Sequence, residues 1–451
     1  MDRNEMMAKA PIGRLILKLA IPTITAQLIN ALYNIVDRIY LGHIPGTGGL
    51  VLTGVGITFP ILMLITAFSN LIGAGGAPLA AIQLGGGNKE KAEDILNQGF
   101  TCLIVLSIFL TIFFLTFKKP LLYIFGASDI TYQYANEYIT TYLIGTIFVQ
   151  VCLGMNTFIT AQGYSSFAMI TTLIGAALNI ALDPIFIFVF NMGARGAALA
   201  TIISQGVSMV WVISFLRGKK TILHLDRKKF KITKEIILPV FALGVSPFIM
   251  AATEAAINIV FNSTLQRTGG DIAVGTMTII TSIMSFIWMP LQGFAMGAQP
   301  VISFNFGARN NKRVTSAFKI MLITAIAYAC TCTALIELFP NVFLSAFTSD
   351  QALKEYAIPF TRIYFFGIGI FGSQMACQQT FLGLGQTKLS LFLALLRKVI
   401  LLIPLVLILS SIIGVKGVFL AEPISDITSA LTAITLLSIN FKKILKKGPS
   451  K

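Results

Sequence analysis

Charge is the scarcest property of this sequence. Only 12% of its 451 residues are charged, whereas 55% are hydrophobic, and the mean hydropathy is +0.82. A water-soluble protein of this length carries about a quarter charged residues. The apolar residues also cluster in runs of roughly 18 to 28, which is long enough to cross a bilayer as a helix. The composition therefore excludes an ordinary soluble protein and predicts an all-α membrane protein.

Histidine and cysteine are too few and too scattered for the common metal and redox sites. The two histidines, His43 and His224, are far apart in the sequence, and no two of the five cysteines form a CxxC pair. A zinc, haem or iron–sulfur site is therefore not expected, and no cofactor is predicted. Motifs for a nucleophile or a phosphate-binding loop are also missing, which argues against a membrane enzyme.

The apolar runs predict twelve transmembrane helices. The first run is too long for a cleavable signal peptide and is expected to be retained. The predicted spans are 15–42, 50–82, 96–117, 134–158, 166–190, 193–216, 235–261, 271–295, 315–339, 354–377, 389–410 and 416–440.

The net charge of +16 is explained by where the basic residues lie. Of the 34 Lys and Arg residues, 24 fall in segments on one side of the predicted spans, and six fall on the other side. Basic residues are enriched in cytoplasmic segments of membrane proteins. Both termini and the basic stretch 217–234 are therefore predicted to be cytoplasmic, and no nucleic-acid partner is inferred from the charge.

The two halves of the sequence resemble each other at an offset near 222. Gly75-Gly76-Ala77-Pro78 pairs with Gly297-Ala298-Gln299-Pro300, and Gly193-x-x-Gly196 pairs with Gly414-x-x-Gly417. An even number of spans per half gives both copies the same orientation, so a pseudo-two-fold axis along the membrane normal is expected. The predicted organisation is an N-lobe of helices 1–6 (1–216), a cytosolic basic linker (217–234) and a C-lobe of helices 7–12 with the tail (235–451).

Polar residues inside the first and fifth spans form one stripe on each helix. The first stripe comprises Gln27, Asn30, Asn34 and Asp37, and the second comprises Thr172, Asn179 and Asp183. Ionisable groups inside a membrane are costly and are candidates for function. If the stripes face each other, the two aspartates form a polar cavity that shares protons or binds a cation. The alternative is that these side chains only hydrogen-bond neighbouring helices together.

Further ionisable residues fall in the second half. Glu254 lies among small residues of the seventh span, where a packing role and a functional role both remain open. Arg397 in the eleventh span is expected either to pair with Glu422 in the twelfth or to extend toward the interface. Met284 is one of several methionines expected to line an adaptable apolar cavity.

Four segments together resemble the multidrug and toxic compound extrusion (MATE) family over nearly the whole chain. They are PTITAQLINALYNIVDRIYLG (22–42), LNIALDPIFIF (178–188), GARGAALA (193–200) and GAQPVISFNFGAR (297–309). The resemblance implies an efflux antiporter that exports cationic amphipathic molecules in exchange for H⁺ or Na⁺.

The resemblance also implies which residues act. Asp37, Asn179, Asp183 and Thr201 match an N-lobe cluster that carries coupling in the branch this sequence is most similar to. Glu254 matches an acidic position used by another branch, but Ser373 stands where that branch has a second acidic residue. This departure favours coupling in the N-lobe and leaves the role of Glu254 open.

The sequence therefore predicts a bacterial inner-membrane multidrug antiporter that works as a monomer by alternating access. Gln27, Asn30, Asn34, Glu254 and Met284 are predicted to line its substrate cavity. A flippase for a lipid-linked saccharide is the alternative, although it would call for a strongly cationic cavity. An ion channel is disfavoured, because channels are more often symmetric oligomers than pseudo-symmetric monomers.

Overall fold

A computed structural model describes residues 3–449, and within that range the chain is helical without strands. Nine helices of the described chain are long and apolar enough to cross a membrane, or ten if one bent pair counts as a span. The multi-pass helical class predicted from composition is therefore confirmed, whereas the count of twelve spans stays a prediction.

The helices follow the predicted spans closely in the first half. They are α1 Arg3–Lys9, α2 Ile12–Gly42, α3 Gly48–Gly85, α4 Lys89–Ile124, α5 Asp129–Ile144, α6 Thr146–Ala161, α7 Ser165–Pro184, a π-helix at Ile185–Val189, and α8 Gly193–Arg217. The predicted fourth span is the bent pair, because α5 and α6 meet at an angle of 58° next to Gly145.

The second half begins with a single long element. Its helices are α9 Lys234–Gly307, α10 Asn311–Leu338, α11 Pro340–Ser345, α12 Gln351–Phe365, α13 Ile368–Gly383, α14 Thr387–Leu395, a π-helix at Leu396–Leu402, α15 Ile403–Ile413 and α16 Val415–Lys447. Both the seventh and eighth predicted spans lie in α9, which Gly270 interrupts with a φ of 67°. The predicted tenth span falls across α12 and α13, which are not among the ten candidates.

Local backbone geometry agrees with the sequence repeat. Asn88 caps α4 and Asn310 caps α10, each accepting a hydrogen bond from the backbone N–H three residues later. Ser128 and Asp350 cap α5 and α12 in the same way at the same offset. Side-chain caps satisfy backbone donors that a helix leaves unpaired. These positions therefore begin equivalent helices in the two halves.

The described chain forms two compact units that are not continuous in sequence. Unit 1 consists mainly of Thr25–Ala251, whereas unit 2 combines Glu5–Ile24 with the residues from Ala252 onward. Each has its own apolar core: unit 1 around Ile61, Ile139 and Ala197, and unit 2 around Leu265, Phe365 and Phe419. Helices α2 and α9 each contribute residues to both units. The lobes predicted from the repeat are a different division and stay a prediction.

The beginning of α9 packs closely on α3 within unit 1. A Cβ on Gly244 would lie 1.8 Å from the carbonyl oxygen of Leu71, and a Cβ on Gly75 would lie 2.3 Å from that of Val240. Only glycine allows two helix backbones to approach so closely, as is common between membrane helices. This pair of glycines therefore holds the first turns of α9 in unit 1.

The segment 218–233 between α8 and α9, called the strap below, is held against unit 1 by side-chain acceptors. Gln162 Oε1 accepts hydrogen bonds from Thr221 Oγ1 (2.9 Å), from the N–H of residue 222 (3.0 Å) and from that of residue 223 (2.8 Å). Asn97 Oδ1 accepts from the Asp226 N–H at 2.8 Å. The predicted linker therefore has a defined path along unit 1.

Ion pairs anchor the far end of the strap. Lys229 Nζ lies 3.0 Å from Asp94 Oδ1 and 3.5 Å from Glu93 Oε2. Partial burial alone lowers the pKa of Lys229, but the hydrogen bond to Asp94 and the charges of both carboxylates raise it overall. Lys229 therefore keeps its charge throughout the physiological pH range.

Candidate functional site

The predicted N-lobe site forms where α7 ends. Asp183 is the last residue before Pro184, which has no N–H to continue the helix, and a five-residue π-helix follows at Ile185–Val189. Short π-helical segments inside spans occur often at functional sites. Gly196 of α8 lets that helix approach the π-helix, because a Cβ there would lie 2.8 Å from the backbone of Phe186. This approach places Thr201 beside α7.

Asn179 joins the two helices. Its Nδ2 donates to Asp183 Oδ1 on the next turn and to Thr201 Oγ1 on α8, both at 3.3 Å. Thr201 Oγ1 itself donates to the carbonyl of Ala197 at 3.0 Å. Asp183 is 0% exposed and Asn179 is 2% exposed. Three of the predicted site residues therefore form one connected, buried polar group.

Several oxygens of this group accept no hydrogen bond from the described residues. They are Asp183 Oδ2, Asn179 Oδ1 and, on α2, Asp37 Oδ1. A buried polar atom without a partner costs free energy, so such atoms usually mark a place where a proton, ion or water binds. Carboxylate and amide oxygens suit either a proton or a hard cation such as Na⁺.

Asp37 belongs to the same region of unit 1. It interacts electrostatically with Asp183, and two tyrosines, Tyr33 and Tyr138, lie within electrostatic range of both carboxyl groups. Tyr142 interacts with these two tyrosines. Tyr138 and Tyr142 are buried on α5. The two stripes predicted from the sequence are thus brought together, although the functional role of the four coupling residues stays a prediction.

A small cavity opens beside this group. Its volume is about 40 Å³, and about 10–15 Å³ of such volume admits one water molecule. Most of the residues that line it have polar side chains, among them Asn30, Asn156, Asn179, Thr201 and Gln205. The cavity can therefore hold a few waters or a small hydrated ion, but it is too small for a drug-sized molecule.

The predicted substrate residues of α2 have different environments. Asn30 lines the cavity just described, whereas Asn34 is exposed and donates from Nδ2 to the carbonyl of Asn30 at 2.7 Å. Gln27 is half-buried on the same helix.

The other two predicted substrate residues belong to unit 2. The exposed carboxylate of Glu254 forms an ion pair with Lys398. Whether Glu254 has a packing role or a functional role stays open. Met284 is half-buried and packs against the apolar core of unit 2.

One charged residue was overlooked in the sequence. The predicted pairing of Arg397 with Glu422 is present at 2.9 Å, but Arg397 Nε also donates to Asp426 Oδ1 at 2.7 Å. Asp426 lies four residues after Glu422 on the same helix, so the spacing that revealed the stripes on α2 and α7 would have revealed it too. Ser373 is buried and donates to the Ile370 carbonyl.

The fold and the buried acidic group define a multi-pass helical membrane protein with polar sites inside its helix bundle. The chain belongs to the MatE family, because the profile of that family matches residues 22–185 and 247–408. The resemblance seen in the four sequence segments is thereby confirmed.

Two named relatives are similar in sequence to this protein over nearly the whole chain. It is 24% identical to the multidrug export protein MepA of Staphylococcus haemolyticus (strain JCSC1435) over 434 residues, which is 95% of this chain and 94% of the relative. MepA of Staphylococcus aureus (strain MRSA252) gives the same identity and the same coverage.

Solved structures share the fold. A MATE crystal structure in the bent conformation superposes with a TM-score of 0.92 at 24% identity, covering 99% of both chains. An outward-facing multidrug resistance MATE family transporter of the MOP superfamily superposes with a TM-score of 0.89 at 23% identity, covering 98% of both chains.

Proposed function

We propose that this protein is a multidrug efflux antiporter that exports lipophilic organic cations in exchange for H⁺ or Na⁺. Membership of the MatE family and the similarity to proteins named as multidrug exporters support the transport of small molecules. The observation that carries the proposal is the pair of acidic residues, half-buried Asp37 and buried Asp183, with unsatisfied buried oxygens beside a small polar cavity.

These residues suit a coupling site. Two carboxylates in a low-dielectric region resist being ionised together, so one proton or one monovalent cation stabilises the pair. Asn179 orients Asp183 and Thr201. The membrane potential adds about 2.3 kcal/mol per charge at 100 mV, roughly a fiftyfold accumulation. Negative groups also favour a positively charged substrate over an anionic one.

The proposed mechanism is alternating access between two six-helix lobes, related by the repeat, in a protein that works as a monomer in the bacterial cell membrane. The equivalent helix caps of the two halves support that symmetry. Both termini are proposed to be cytoplasmic.

The test is ethidium transport in vesicles that contain the purified protein. A pH gradient and a sodium gradient are imposed separately, and we expect one of them to drive ethidium against its concentration gradient. Empty vesicles and vesicles treated with an ionophore that abolishes the gradient serve as controls. Transport of anionic drugs in preference to ethidium, or no response to either gradient, would contradict the proposal.

A further inference from the structure

A second group of ionisable residues lies in unit 2, away from Asp37 and Asp183. We call it the C-terminal charge cluster, and it comprises Glu254, Arg397, Lys398, Glu422 and Asp426. Arg397 bridges Glu422 and Asp426 at 2.9 and 2.7 Å, whereas Lys398 pairs with Glu254. The other four side chains all act electrostatically on Glu422, and the three carboxylates act on Arg397.

Most of the cluster is removed from solvent. Arg397 and Lys398 are each 7% exposed, Glu422 is 5% exposed and Asp426 is 0% exposed. The guanidinium of Arg397 also lies 4.3 Å from the centre of the Phe371 ring, and Ser425 Oγ donates to the Arg397 carbonyl at 2.7 Å. Arg397 is thus held on three sides, so it is a fixed charge and not a side chain that extends toward the interface.

The charges of the cluster do not balance. The positive groups that act on Glu422 and Asp426 are Arg397 and Lys398, and Lys398 is already paired with Glu254. Three carboxylates and two cations leave one negative charge in excess. The remaining ionisable group that faces them, Tyr364 on α12, is buried and adds no positive charge. An uncompensated charge in a buried site costs several kcal/mol.

One carboxylate oxygen of the cluster is the expected position of the excess negative charge. Asp426 Oδ1 accepts from Arg397, but Asp426 Oδ2 is buried and has no hydrogen-bond partner among the residues that the structure describes. A protonated carboxyl group would carry its O–H at such an atom and would also remove the excess charge. A metal ion fits less well, because it would sit beside the guanidinium and repel it.

The sequence repeat independently indicates that Glu422 and Asp426 lie at a polar site. At an offset of 221, Thr201, Ser204 and Gln205 of α8 correspond to Glu422, Ser425 and Asp426 of α16. In unit 1 these positions line the small polar cavity next to the proposed coupling site. Each half also has a π-helix in the preceding span, at Ile185–Val189 and at Leu396–Leu402. The cluster therefore occupies the C-terminal equivalent of a polar site.

We infer that Glu422 and Asp426 together bind one proton, which makes the C-terminal charge cluster a second proton-binding site of this protein. Arg397 holds the two carboxylates in place, and the proton neutralises the one negative charge that Arg397 and Lys398 do not neutralise. The ion pair between exposed Glu254 and buried Lys398 forms the outer end of the cluster, and Lys398 also acts electrostatically on Glu422 and Asp426. The site goes beyond the proposed coupling role of Asp37 and Asp183 and does not depend on it.

The test is infrared difference spectroscopy of the full-length protein in lipid nanodiscs, between alkaline and acidic buffer. The background is the Asp37→Asn/Asp183→Asn variant, which removes the carboxyl groups of the N-terminal site. We expect this background to keep a carbonyl band from one protonated, buried carboxylic acid. Asp426→Asn on the same background should abolish the band, and the exposed change Asp271→Asn should leave it unaltered.

Variants of the neighbouring charges test the charge count itself. Glu254→Gln removes the excess negative charge at an exposed position and should also abolish the band. Lys398→Met leaves a second excess negative charge and should roughly double the intensity of the band. A band that is insensitive to both Asp426→Asn and Glu254→Gln would overturn the inference, as would loss of the band on adding sodium chloride at constant pH. The ethidium assay is separate, so failure of the transport proposal leaves this result intact.

Discussion

At the scale of single residues, the acidic group of unit 1 is marked by oxygens that have no hydrogen-bond donor as well as by its hydrogen bonds. Asn179 Nδ2 donates to Asp183 and to Thr201. Neither α7 nor α8 provides a donor for Asp183 Oδ2. A side chain that only joined helices would have its polar atoms satisfied by them. The unsatisfied oxygens therefore favour an ion-binding role over a packing role.

Asp183→Asn is expected to reduce gradient-driven ethidium transport to the background level while the protein still folds. A carboxamide keeps the shape of the side chain and can accept from Asn179, but it cannot take up a proton. Initial rates are measured in vesicles at equal protein density, and gel filtration checks folding. Asp271→Asn, at an exposed position, is the matched control. Near-normal transport by a well-folded Asp183→Asn protein would refute the role of Asp183.

The sequence singled out individual candidate residues where the pattern lay within one helix. Asp37 stands out because its spacing places it on one face of α2 with Asn30 and Asn34, and Asn179 and Asp183 stand out because they share one face of α7. The C-terminal charge cluster instead draws on three separate helical segments, and no spacing relates Glu254 to Lys398. Which spans are neighbours is decided by packing, and hydropathy does not report packing.

At the scale of helices, close approach of α3 and α9 depends on two glycines. Gly244→Ala is expected to destabilise the protein by about 1–3 kcal/mol, because the added methyl group collides with a backbone oxygen that cannot move away. Gly56→Ala, in α3 where nothing lies within 4 Å of an added Cβ, is the control. It should be neutral or slightly stabilising. Thermal unfolding in detergent measures both, and equal midpoints for the two variants would contradict the packing argument.

The strap provides a second test at this scale. Gln162→Leu leaves the buried N–H of Leu223 and the partly buried N–H of Ile222 without their acceptor. The loss at the buried group alone costs about 1–3 kcal/mol. The strap should then leave unit 1 more often and expose its lysines and arginines, so trypsin should cleave it faster. Gln162→Glu keeps the accepting oxygen but loses the hydrogen bond from Nε2 to the Phe158 carbonyl, so its strap should be cleaved more slowly than that of Gln162→Leu. Equal cleavage rates for the two variants would show that Gln162 does not hold the strap.

At the scale of the whole molecule, the distribution of basic residues predicts orientation. Reporter domains fused after Gly218 and after Lys447 should both report the cytoplasm, since the segments that contain these positions are rich in Lys and Arg. A reporter inserted at Lys118, in one of the segments with few basic residues, should report the opposite side. Enzymatic reporters that are active on one side only give the answer. Opposite locations for Gly218 and Lys447 would require an odd number of spans between them.

The attachment of the strap to unit 1 also determines where the chain passes from unit 1 to unit 2. Because residues 218–233 are fastened to unit 1 and the first turns of α9 belong to it as well, the chain passes into unit 2 within a helix, between Ala251 and Ala252. The other crossing, between Ile24 and Thr25, is also helical. Both crossings thus lie inside helices and not in loops. Extra residues inserted in the strap would form a side loop on unit 1, whereas a single residue inserted near Ala251 would rotate everything after it by about 100° about the helix axis.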